Sequence, residues 1–270
     1  MSEGAAVPDV AVEELSPEAR SALHDLILVL ADSKRLLGIR YADWVLGAPE
    51  LEACIAASSL AQDEWGHARI LYALLKGFGE DAGAVEHERE PSEYRNIEAL
   101  DRPLESWPDF VVANAIIDTA LTVQLEALTE CCYGALRQRV RKQLEEERFH
   151  FGHGAAWLRR LGRADGGAVR SAVQDALDRA WRHAVHWFGP DDFGLALTDA
   201  GVAAAMGAGL RERFLARAAP LVERSGLMVP EILLRFEGWD PATRRSNRKG
   251  PDADAVARAR GDRNRAFLMD

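Results

Sequence analysis

Apolar residues recur at three- and four-residue intervals over most of the chain, and nowhere do they alternate in the two-residue rhythm of a strand. Ser16-Pro17-Glu18 reads as a helix start, because a serine hydroxyl can cap free amide N–H groups and proline is preset for a first turn. Apolar positions then continue to Gly47. After Ala48-Pro49-Glu50 a second helix is predicted through Leu51, Ile55, Leu60, Ile70 and Leu74, stopping at Gly77 or Gly79. The short connection makes the two an antiparallel hairpin. From Glu80 to Glu105, through Glu86-His87-Glu88-Arg89-Glu90-Pro91, both periodicities lapse and a crossover loop is expected. Ser106-Trp107-Pro108-Asp109 starts a third helix reaching about Tyr133, Gly134 marks a turn, and a fourth helix runs to Gly162.

Two helical hairpins joined by one long connection is the layout of a ferritin-like four-helix bundle, so the expected fold is all-α. Further helices, about Val169 to Phe188 and Gly207 to Arg224, would flank the four. No linker divides the chain. The expected organisation is a flexible N-terminus over 1–15, a helical domain over 16–236 and a basic C-terminal tail over 237–270. The tail carries Arg244, Arg245, Arg248 and Lys249 and further arginines from Arg258 to Arg265, and reads as a solvated or partner-docking segment.

The apolar share of 48% describes an ordinary globular core. A net charge of −10 argues against a nucleic-acid binder, which would meet phosphates with clustered Lys and Arg. Cys54, Cys131 and Cys132 are too few for a disulfide framework and read as reduced core residues. With no basic, apolar leader and no stretch long enough to span a membrane, the expected location is the cytoplasm. Trp65, Trp107, Trp181 and Trp187 read as packing residues.

Of the seven histidines, only His67 and His150 have a glutamate three residues earlier, Glu64 and Glu147. Residues three apart share a helix face, so each pair can reach one metal together. Each pair also lies in the second helix of its hairpin. A bundle site of this kind needs an inward carboxylate from the first helix of each hairpin. In the second hairpin Asp118 lies about as far before the Tyr133-Gly134 turn as Glu147 lies after it. Ile116, Ile117, Ala120 and Leu121 surround it in sequence, and a buried acid there is costly unless a ligand satisfies it. Carboxylates bridge and charge-balance two iron ions while imidazoles complete the coordination and leave positions open for dioxygen. Manganese suits the same donors; a closed structural zinc site does not.

Gln62-Asp63-Glu64-Trp65-Gly66-His67, Ile117-Asp118, Tyr133-Gly134, Glu146-Glu147-Arg148-Phe149-His150 and Trp187-Phe188-Gly189-Pro190-Asp191-Asp192 together resemble the bacterial phenylacetyl-CoA epoxidase family of catalytic and scaffold subunits. The likeness continues through Arg211-Glu212-Arg213-Phe214 to Gly226-Leu227-Met228-Val229-Pro230. The resemblance implies a ferritin-like fold, a di-iron centre that activates dioxygen with electrons from a separate reductase, and oxygen insertion into an aromatic acyl-CoA. It places Glu64, His67, Asp118, Glu147 and His150 at ligand positions. Relatives pair through bundle faces, which implies a homodimer or a heterodimer with a homologue.

The first helix departs from that pattern. Where the catalytic subunits carry inward glutamates, this chain has Lys34 and Tyr41, seven residues apart and on one face, as candidate catalytic groups. Beside two metal ions Lys34 is expected as a neutral amine that could ligate a metal or donate a proton. The alternative is a rotated helix, with Lys34 reaching solvent and Asp32 supplying the carboxylate. Three functions stay open: a di-iron oxygenase or oxidase, a non-catalytic scaffold subunit, and an iron-storage protein.

Overall fold

The computed structural model describes residues 7–247, 249–262 and 267, and in it every regular element is helical. The first hairpin pairs α1 (Pro17–Ala42) with α2 (Leu51–Tyr72), which continues as a 3-10 turn, Ala73–Phe78. Ser16 caps α1 as its spacing predicts, its hydroxyl accepting from the Ala19 N–H at 3.2 Å with Pro17 in the first turn. The hairpin is tight because Gly38 has no side chain. A Cβ there would lie 2.6 Å from the Trp65 ring.

The crossover is more ordered than its lapsed periodicity predicts. Asp81 caps a short helix, α3 (Ala82–His87), and two 3-10 turns follow, Pro91–Glu93 and Glu98–Leu100. Asp32 of α1 ties this segment down. It accepts from the Arg95 backbone N–H at 2.8 Å and from the Tyr72 hydroxyl at 2.5 Å, and it pairs with the Arg89 guanidinium.

The second hairpin begins with α4 (Trp107–Val112), passes through a π-helical turn, Ala113–Ile117, and continues as α5 (Asp118–Glu126). Its partner is α6 (Gly134–Gly162). The third helix stops at Glu126, short of the Tyr133 its sequence predicts. Tertiary bonds override the local pattern: Ala204 donates to the Ala127 carbonyl at 2.7 Å, and Cys132 donates to the Gly201 carbonyl at 3.0 Å. Gly154 lets α6 press onto the π turn, since a Cβ there would lie 2.9 Å from the Ala115 nitrogen. Around the four-helix core lie α7 (Gly167–Trp187), α8 (Leu195–Asp199), α9 (Gly207–Arg224) and α10 (Ala253–Arg260). The architecture is the all-α, ferritin-like bundle with flanking helices that the sequence predicts.

The described parts of both terminal segments pack on the bundle. Asp9 accepts from the Gly134 N–H at 2.7 Å and Val12 is buried; residues 1–6 lie outside the described set. The basic C-terminal segment is docked, not solvated. Arg244 and Arg245 are buried, Arg245 pairs with Asp101, Arg40 holds Asp252 at 2.5 Å, and α10 packs its alanines on the bundle. Arg248, Arg263 and Arg265 lie outside the described residues. The cysteines are free; Cys131 and Cys132 are buried, whereas Cys54 is only half-buried. No helix among the described residues is long and apolar enough to cross a membrane.

Candidate metal centre

Four helices converge on one buried cluster. Lys34 and Tyr41 of α1, Glu64 and His67 of α2, Asp118 at the start of α5, and Glu147 and His150 of α6 all point into the bundle and are all buried. Lys34 Nζ donates to Glu64 Oε1 at 3.0 Å, Asp118 Oδ1 at 2.9 Å and Glu147 Oε1 at 2.5 Å. The Tyr41 hydroxyl donates to Asp118 Oδ2 at 3.3 Å. The rotated-helix alternative fails, because Asp32 is committed to Arg89 and the crossover on another side of α1.

The two Glu-x-x-His motifs are cross-braced. His150 Nδ1 lies 3.1 Å from Asp118 Oδ2 and 3.2 Å from Glu64 Oε1, while its Nε2 lies 3.2 Å from Asp63 Oδ2. His67 mirrors it: Nδ1 is 3.2 Å from Glu147 Oε1, and Nε2 is 2.6 Å from Glu146 Oε2. Each motif's histidine is thus held by the acid that precedes the other motif's glutamate. A carboxylate behind an imidazole fixes its tautomer and aims its free nitrogen. Asp63 and Glu146 escape a search for ligands alone, although an acid directly before both motif glutamates was the available signal.

Electrostatics inside the cluster are set by mutual pairing. Burial works against charge on Lys34, but Asp118, Glu147 and Glu64 outweigh it and hold the amine well above its ordinary pKa. In the metal-free cluster the three carboxylates favour the ammonium; the neutral amine is the form expected for Lys34 beside metal ions. Burial likewise opposes charge on His150, yet hydrogen bonds to Asp118 and Glu64 push its pKa up to about 12. His67 is raised against its desolvation by Glu147 and Glu64. Asp118 is held low despite burial, chiefly by the Lys34 charge, whereas burial raises Glu64. Desolvation, helped by Asp118, also keeps the Tyr41 phenol protonated.

The donor set accommodates a cation. Glu64, Asp118, Glu147 and His150 each offer a donor atom, and these atoms all lie within 4.8 Å of one another. Two further donors are buried without a hydrogen bond: Glu64 Oε2, and His67 Nδ1, which is near Glu147 but off the bonding direction. A metal ion would satisfy both. Thr122 Oγ1 braces Glu147 Oε2 at 2.9 Å, and Asn114 links the Tyr41 hydroxyl at 3.4 Å to His153 Nδ1 at 2.9 Å. His186 bonds the Arg235 carbonyl. Trp107 stacks on Phe110 at 4.5 Å, Trp65 covers Gly38, and Trp181 and Trp187 are buried core. A cavity of about 500 Å³ reaches Thr122 and Glu147 from the surface, lined also by Arg141, Arg148, Arg217 and Phe151.

A family model described as phenylacetic acid catabolic protein matches residues 9–241. Two relatives are different components of one enzyme, the 1,2-phenylacetyl-CoA epoxidase of Escherichia coli (strain K12). One component is 28% identical over 179 residues, 65% of this chain and 71% of the relative. The other is 27% identical over 199 residues, 72% of this chain and 64% of the relative, so the chain spans a little under two thirds of that component. The two identities are nearly equal, so resemblance alone does not assign the chain to either role.

Proposed function

The chain belongs to the phenylacetic acid catabolic protein family, and we propose that it is an iron-dependent oxygenase component acting on an organic substrate of the acyl-CoA class. The observation that carries this reading is the cross-bracing of both imidazoles. Glu146 behind His67 and Asp63 behind His150 fix each imidazole and aim its other nitrogen at the buried carboxylates, the orientation a metal ligand needs. Glu64, His67, Asp118, Glu147 and His150 would hold iron. Bound iron would supply the reduction of dioxygen for oxygen insertion, with electrons from a reductase partner.

The chain's own residues do the rest. Lys34 holds a proton at the centre of the cluster, and Tyr41 holds a second one against Asp118. Thr122 keeps Glu147 in place at the inner end of the 500 Å³ cavity. Leu144 and Phe151 in that cavity suit an acyl body, while its arginines share the walls with Glu126 and Glu145, Arg217 being paired with Glu126. Exposed Leu51 and Ile55, four residues apart on one face of α2, suit contact with a homologous chain.

A second reading rests on one specific contact. Lys34 Nζ bonds all three carboxylates and so occupies the position a metal ion would need, as in a non-catalytic scaffold whose ammonium replaces the metal. Anaerobic ferrous loading of the wild type and Lys34→Glu, followed by metal analysis, separates the two. Close to two irons per chain in both supports the oxygenase component. None in the wild type and two in Lys34→Glu supports the non-catalytic scaffold, and one tightly held zinc per chain in both overturns either reading.

A further inference from the structure

A second charged group is buried in this protein, far along the chain from the cluster and without an acid of its own. Arg244 is 2% exposed. Its guanidinium lies between the rings of Trp187, 4.8 Å from the centroid, and Phe193, 5.0 Å from it. Its one side-chain hydrogen bond among the described residues runs from Nη1 to Gln124 Oε1 at 2.8 Å, leaving most of its five N–H donors unused. Among the described residues no carboxylate pairs with it. Asp25, the acid whose charge reaches it, is taken by Arg95 at 2.5 Å and by His24 at 3.1 Å.

The backbone is built to put the side chain there. Arg244 has a φ of 54°, the left-handed region that a residue with a Cβ avoids. A tight turn enforces it: Arg244 N donates to the Asp240 carbonyl at 2.7 Å, and Asp240 Oδ1 and Oδ2 accept from Ala242 N and Thr243 Oγ1 at 3.0 Å each. Strain of this kind persists where the surrounding structure over-determines it, often at a ligand site.

Arg244 lines a cavity of about 350 Å³ whose walls include Leu26, Phe193, Leu197, Pro241 and Ala242. We propose that this cavity is a binding site for a small organic monocarboxylate, its carboxylate gripped by Arg244 and its compact apolar body against Phe193, Leu197 and Pro241. A planar guanidinium matches a carboxylate fork, and a buried cation without a counter-ion gains most from an anion that also brings apolar surface. Glu18 and Asp25, which also line the cavity, decide between anions. They disfavour phosphates and CoA, which carry more charge, and leave a monoanion. The site is lined by other residues than the cavity at Glu147, and its occupancy does not depend on a metal at the cluster.

Titration calorimetry and thermal shift on the full chain with benzoate, hexanoate, benzamide and inorganic phosphate test this. Benzoate or hexanoate should bind one per chain and raise Tm, whereas benzamide and phosphate should not. Arg244→Gln should weaken binding at least tenfold. Ala242→Trp, which fills the cavity and leaves Arg244 in place, should abolish binding while the far-ultraviolet spectrum stays native. It also answers the question if Arg244→Gln does not fold. Arg148→Gln at the other cavity should leave carboxylate binding unchanged. No carboxylate binding, equal binding of phosphate, binding that survives Ala242→Trp, or loss confined to Arg148→Gln would each overturn the proposal.

Discussion

Two buried charges sit two residues apart on α1 and serve opposite ends. Asp32 meets Arg89, Tyr72 and the Arg95 N–H, and between them those donors satisfy both of its oxygens. Lys34 meets three carboxylates, but around it Glu64 Oε2 and His67 Nδ1 remain without hydrogen bonds. A saturated charge cluster is a structural clamp, here pinning the crossover to the first hairpin. An unsaturated one retains capacity for a ligand. What separates them is the number of orphaned donor atoms, since burial is the same.

The sharpest break of that comparison removes a charge from each side. Asp32→Ala strands Arg89 and should destabilise the fold by about 3–5 kcal/mol, the usual cost of breaking a buried pair, with iron content per folded chain unchanged. A large loss of iron in that variant would mean that the two clusters are one. Lys34→Met leaves three carboxylates facing one another, so its Tm should fall without metal and recover with ferrous iron or manganese more than the wild type gains. Metal-independent Tm in Lys34→Met would refute the idea that the ammonium stands where a cation belongs.

Smaller effects follow further out. Asp63→Asn and Glu146→Gln should each lower metal affinity about 10–100-fold with little change in helical content, because each releases the imidazole of the opposite motif. Equal affinity in both variants and wild type would reduce the cross-bracing to surface pairing. Metal affinity should also rise with pH. Lys34 and His150 are protonated in the metal-free cluster, so each ion that displaces one proton gains about tenfold per pH unit. Competition with a chelator at three pH values reads this directly. Tyr41→Phe should have the smallest effect on stability, about 1–2 kcal/mol for the two long hydrogen bonds its hydroxyl makes, and any larger change in turnover than in Tm would mark the phenol as chemically engaged.

The bundle and the convergence of the two Glu-x-x-His motifs were legible in the sequence for a physical reason. Apolar spacing, caps such as Ser16, and the three-residue interval of Glu64/His67 and Glu147/His150 are local properties, and a helix converts them directly into faces. Asp118 was legible too, as an acid in an apolar run. The ends of the helices and the role of each first-helix charge were not. Whether Asp32 or Lys34 faced the core depended on Arg89 and Arg95 folding back from the crossover. The π turn before Asp118, the docking of the basic tail and the strained Arg244 likewise rest on contacts between segments remote in the chain. Such contacts outweigh local preference because an unpaired buried charge costs more than a helix end gained or lost, and only the tertiary structure decides which partner reaches it.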